Sequence, residues 1–147
     1  MAGMRAAAAV LALAACTASP PPEEAPRLAV DAGWPTIPAG AKFGEVSAVD
    51  VDAAGNVFVL HRAGRVWEEP FPADPIAEPT VFKFAPDGTL LARWGAGVFV
   101  MPHGISVDPA GKVWITDVGR EQVFRFSAEG AQELVIGTRG VGGRDAA

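Results

Sequence analysis

Ile105-Ser106-Val107-Asp108-Pro109-Ala110-Gly111-Lys112-Val113-Trp114-Ile115-Thr116 reads as a short strand, a tight turn and a second strand. Proline fixes φ and glycine supplies the left-handed conformation that a tight reversal needs. The β-branched and aromatic residues on either side favour pleated backbone. Just upstream, Met101-Pro102-His103-Gly104 sets a polar residue at the mouth of the first strand. The segment occurs twice. Val49-Asp50-Val51-Asp52-Ala53-Ala54-Gly55-Asn56-Val57-Phe58-Val59-Leu60 aligns with it at a constant offset of 56, pairing Asp52 with Asp108, Gly55 with Gly111 and Phe58 with Trp114.

The repeat extends downstream. Val81-Phe82-Lys83-Phe84 with Gly88 matches Val123-Phe124-Arg125-Phe126 with Gly130, and Trp94-Gly95 matches Ile136-Gly137. Each unit thus holds four short strands, and the first carries an extra loop, roughly Gly64 to Pro79. Self-similarity at this period, with four strands per unit, marks a β-propeller blade. Val57 to Leu60 and Val113 to Ile115 are apolar on successive residues, the pattern of strands covered on both faces, as in stacked blades. The expected fold is all-β: an incomplete β-propeller of about two four-stranded blades, after a signal peptide and a Pro-rich tether. Closed propellers hold four to eight blades, so the sequence reads as cut short, with blades over 34–137 and a Gly-rich truncated tail over 138–147.

The N-terminal residues read as targeting sequence. Residues 1–15 have one cation, Arg5, followed by an apolar run too short to span a bilayer. They lead into Leu13-Ala14-Ala15-Cys16, which resembles the bacterial lipobox. Cys16 is the only cysteine, so no internal disulfide forms, and it is the expected lipidation site. Thr17 rather than Asp after it resembles lipoproteins sorted to the outer membrane, which implies secretion across the inner membrane and anchoring on the periplasmic face of the outer membrane. Residues 16–33, rich in Pro and Glu, are expected to be a disordered tether. The net charge is −5, falling to −6 without Arg5, and Lys and Arg do not cluster; no nucleic-acid partner is expected.

The repeat is its own control. Positions shared by both units are scaffold, so Asp52 and Asp108 read as turn-forming carboxylates. Departures are candidates for chemistry: His103 stands where the first unit has Ser47, Arg62 where the second has Val118, and His61 opposite Asp117. A lone His or Arg is more often structural than functional, and two histidines cannot complete a three-His zinc site.

Gly44-Glu45-Val46-Ser47-Ala48-Val49, Val59-Leu60-His61-Arg62 with Val66-Trp67, Phe99-Val100-Met101-Pro102-His103-Gly104-Ile105, Trp114-Ile115-Thr116-Asp117-Val118 and Gln122-Val123-Phe124-Arg125-Phe126 resemble the peptidyl-α-hydroxyglycine α-amidating lyases (peptidylamidoglycolate lyases), NHL-repeat six-bladed propellers. The resemblance runs from about Gly44 to Gly137. It implies cleavage of a C-terminally hydroxyglycine-extended peptide to a peptide amide and glyoxylate, with zinc on three histidines and a structural calcium. By position, His103 resembles the first zinc ligand, Arg62 the channel arginine that contacts substrate, and Val49 and Ile105 the residues whose backbone carbonyls bind calcium. The family's other zinc histidines, its catalytic tyrosine and its calcium-binding aspartate lie in later blades than these, which implies an inactive fragment. The competing reading is a non-enzymatic, membrane-tethered NHL propeller that binds peptide, protein or another small ligand.

Overall fold

The computed structural model describes residues 27–41 and 43–143. The expected signal peptide, Cys16 and most of the tether lie outside them. Eight strands follow in order: β1 (Val46–Val51), β2 (Val57–His61), β3 (Val81–Phe84), β4 (Leu90–Trp94), β5 (Pro102–Val107), β6 (Val113–Asp117), β7 (Gln122–Phe126) and β8 (Gln132–Ile136). They form two antiparallel four-stranded sheets, ordered β1-β2-β3-β4 and β5-β6-β7-β8, and no helix occurs among the described residues. This is the all-β, two-blade arrangement of an incomplete NHL propeller. The extra loop of the first unit is the connection between β2 and β3.

The turns that announced the repeat are built alike. Asp52 Oδ1 accepts the N–H groups of Ala54 and Asn56, and Asp108 Oδ1 those of Ala110 and Lys112, every bond at 2.9 Å. The turn then closes through Gly55 and Gly111, whose φ angles of 83° and 75° carry a steric cost for any residue with a β-carbon.

Register shows which residues share a face. Phe58 lies opposite Lys83 and Leu60 opposite Val81, while Val113 lies opposite Phe126 and Ile115 opposite Phe124. Phe58, Leu60, Val81 and Trp94 of the first sheet meet Val113, Ile115, Phe124 and Phe126 of the second, with Phe99 among them, in one buried core. Side chains of this size stabilise by about 2–3 kcal/mol each when fully buried. The sheets are also clasped by a hydrogen bond: Asp50 Oδ2 on β1 accepts the Val107 N–H on β5 at 2.7 Å. That bond, with a second from Val51, holds the Asp50 carboxyl below the usual range.

The opposite face of the first sheet, bearing Val59, Phe82 and Phe84, packs against Trp34, Ala41 and Phe43. These residues repeat the contacts between the sheets. Phe43 stands 5.3 Å from Phe82 and 5.8 Å from Phe84, as Phe99 stands 5.3 Å from Phe124 and 5.8 Å from Phe126. Trp34 lies over Phe84 and Gly88 as Trp94 lies over Phe126 and Gly130. Residues 34–43 therefore do for the first sheet what Trp94 and Phe99 do for the second. The opposite, outer face of the second sheet, which bears Trp114 and Thr116, has no such cover among the described residues, and β8 is exposed throughout, with Ile136 at 50%.

Beyond β8, a one-bridge turn pairs Thr138 with Val141, and Gly140 donates to the Arg120 carbonyl at 3.1 Å. Among the described residues no helix is long and apolar enough to cross a membrane.

Candidate functional site

β1 and β5 lie beside each other, and each opens on a bulge. The register slips between Val46 and Ala48 in one and between Pro102 and Gly104 in the other, leaving Ser47 and His103 as the extra residues. A bulged residue leaves the ladder and its side chain is re-aimed, which is why bulges recur beside binding sites. Ser47 hydroxyl turns inward to the Leu60 carbonyl at 3.4 Å, whereas His103 is exposed.

Arg62 follows the end of β2 and reaches across to the second sheet. Its Nε donates to the Pro102 carbonyl at 3.2 Å, Nη1 to Glu45 Oε2 at 3.0 Å and Nη2 to His103 Nδ1 at 3.4 Å. A guanidinium only donates, so in this contact His103 presents its Nδ1 lone pair. The guanidinium also lies 5.2 Å from the centre of the Trp67 ring, and Trp67 stands 5.7 Å from the His103 ring and 5.1 Å from Phe71. Arg62 is 8% exposed, a nearly buried cation held by one carboxylate, one carbonyl and one aromatic face.

The two residues singled out in the sequence are thus neighbours, although 41 positions separate them. Val49 and Ile105 occupy equivalent registers on β1 and β5, opposite Val59 and Ile115. Glu45, Trp67 and Phe71 were not singled out as site residues. Trp67 and Phe71 lie in the loop that only the first unit carries, and Glu45 replaces Met101 of the second; departures from the repeat were the available signal.

His61 has a different place. Its ring is buried between Phe43 and Phe82, at 5.4 and 4.7 Å, and Nδ1 accepts the N–H groups of Ala63 at 3.1 Å and Gly44 at 3.4 Å. Burial lowers its pKa. His61 is therefore a cap of the chain after β2, outside the Arg62–His103 pair.

No group of three or more His, Cys, Asp or Glu side chains suited to a metal ion occurs among the described residues. His103 has the right donor chemistry for zinc but is the one imidazole at this site. The described residues thus supply one ligand, and any others would come from outside them.

The NHL repeat matches residues 99–126, which cover β5, β6 and β7. Together with the paired four-stranded sheets, this makes the molecule a pair of NHL-type propeller blades. Within that class it is similar to the amidating lyases. It is 40% identical over 109 residues to peptidyl-alpha-hydroxyglycine alpha-amidating lyase 1 of Drosophila melanogaster, covering 66% of this chain and 20% of that protein. It is 37% identical over 118 residues to lyase 2 of the same organism, covering 72% and 29%, and 32% identical to peptidyl-glycine alpha-amidating monooxygenase B of Xenopus laevis, covering 72% and 13%. The chain spans a third or less of the length of these relatives.

Proposed function

We propose that this chain supplies the His–Arg part of a peptidyl-α-hydroxyglycine lyase site, completed by further blades. The observation that carries the reading is the Arg62–His103 contact, formed at two positions where the other repeat has Val118 and Ser47. The names of the similar proteins support the same substrate class. In the reaction, the substrate hydroxyl loses its proton, its C–O bond becomes the aldehyde of glyoxylate, and the C–N bond breaks. The departing amide nitrogen takes a proton.

Arg62 would receive the substrate carboxylate by charge-assisted hydrogen bonds, and His103 would provide an imidazole at the reacting end. Zinc bound there would act as a Lewis acid that lowers the pKa of the hydroxyl. The backbone carbonyls of Val49 and Ile105 would contribute to a calcium site, as oxygen donors suit that ion. Cys16 would carry the lipid that anchors the protein to the membrane, on the periplasmic face of the outer membrane.

The test is binding of an α-hydroxyglycine peptide and zinc to this chain, together with glyoxylate release from a chain extended by further blades. We expect Arg62→Gln to lower peptide affinity about tenfold or more, the scale of a lost charge-assisted pair, and His103→Ala to lower zinc content. Binding indifferent to both substitutions, with no glyoxylate from the extended chain, would leave a non-enzymatic binding propeller. Incorporation of labelled fatty acid that is lost in Cys16→Ser checks the anchor.

A further inference from the structure

Resting on the reading of Arg62 as the carboxylate receptor, we propose that Glu45 is an internal competitor for that carboxylate. It occupies the guanidinium until a ligand displaces it, and so sets the affinity of the site.

The repeat carries the argument. Arg62 donates its backbone N–H to the Glu45 carbonyl at 2.9 Å, and Val118 donates to the Met101 carbonyl at 3.1 Å. The frame is the same, and blade packing needs no charge there, since the second unit holds it with Met101 and Val118. The Glu–Arg pair is an addition made at both positions at once.

Geometry separates competition from support. The orientation of Arg62 rests on two other contacts, the Pro102 carbonyl at Nε and the face of Trp67. Glu45 binds one terminal nitrogen through one oxygen, and its side chain is 50% exposed against 9% for that of Arg62. Glu45 is half-exposed and held at a single point, so its carboxylate can swing out to water. The nearly buried guanidinium keeps the Pro102 carbonyl and the Trp67 face and favours any carboxylate that takes the place. Glu45 and His103 together sit on the two terminal nitrogens, the end of the fork that an incoming carboxylate would take with two parallel bonds. Such a ligand exchanges two single-point partners, the Glu45 carboxylate and the longer contact to His103, for one bidentate one. Trp67 and Phe71 offer an apolar surface to whatever precedes its carboxylate. The ligand class is a small carboxylate with an adjoining apolar group, such as a peptide C-terminus.

The experiment titrates hippurate (N-benzoylglycine) into the full chain and follows the indole N–H resonance of Trp67. Glu45→Gln removes the competing charge and is expected to bind hippurate about two- to fivefold tighter than the wild type, the scale of one half-exposed carboxylate in competition. The double variant Glu45→Met with Arg62→Val copies the second unit and is expected to fold but not bind. Arg62→Lys, which keeps the charge and loses the fork, is a second folded control and is expected to lose most of the binding. Glu45→Gln binding no tighter than wild type, with both Arg62 variants still impaired, overturns the competitor and leaves the Arg62 reading standing. Hippurate binding nowhere, or undiminished in both Arg62 variants, overturns both.

Discussion

The second strands of the two sheets end on the same backbone frame and are capped by different side chains. After β6, Asp117 is 1% exposed and accepts four backbone N–H groups: Val100 on Oδ2 at 2.6 Å, and Met101, Gly119 and Arg120 on Oδ1 at 2.9–3.1 Å. After β2, His61 stands at the same place and accepts two, from Gly44 and Ala63. The close approach is relieved differently as well. A β-carbon on Gly44 would run into the Ala63 carbonyl, while in the second unit the glycine is on the other partner, Gly119 against Val100. The second unit thus closes its loop with a multidentate carboxylate. The first closes it more weakly and uses the next residue, Arg62, to reach the neighbouring sheet. One cap is a carboxylate turned wholly onto its own loop, and the other leaves the next residue, Arg62, to bridge to Pro102 and His103 of the second sheet.

The largest expected effect tests cover. Phe58 and Trp114 are repeat mates, yet Phe58 is fully buried between the sheets while Trp114 is only partly buried. Phe58→Ala should cost about 3–5 kcal/mol and Trp114→Ala about 1–2 kcal/mol in denaturant unfolding. Equal losses would mean that the outer face of the second sheet is covered too.

Asp117→Ala should cost about 3 kcal/mol, since it removes the acceptor of four N–H groups, two of them in buried bonds, against about 1–2 kcal/mol for His61→Ala, which removes the acceptor of two part-buried ones. Gly44→Ala should cost about 2 kcal/mol or more, because the obstacle is backbone that cannot step aside. Melting temperatures of the three variants give the order.

The smallest effect depends on pH. His61 titrates near 6.5 when unfolded, and burial lowers its pKa in the folded chain. Between those values the unfolded chain binds more protons, so the His61 contribution is present in full above pH 6.5 and is lost as pH falls from there through the folded value. His61→Asn, which keeps an acceptor and does not titrate, should flatten that part of the stability profile. An unchanged slope would show that another group carries it.

The strands, both turns, the extra loop and the pairing of Asp52 with Asp108 were legible in the sequence. They depend on local chemistry: β-branched runs, a carboxylate two residues before an N–H it can accept, and glycine where φ is positive. Repetition at a fixed offset then exposed Arg62 and His103 as departures. Trp34 and Phe43 were not recognised as continuing the repeat. Trp34 to Trp94 spans 60 residues rather than 56, which hides that match, whereas Phe43 and Phe99 stand at the repeat offset of 56 and were within reach of the alignment. Glu45 and Trp67 were visible as departures from the repeat, but their contacts with Arg62 and the inward turn of His61 were not. Which of two adjacent residues, His61 or Arg62, turns into the core and which reaches the next sheet depends on side-chain direction at a strand end and on what stands there. Periodicity along one chain determines the strands and their faces, while only the docking of one sheet on the other brings Arg62 to His103.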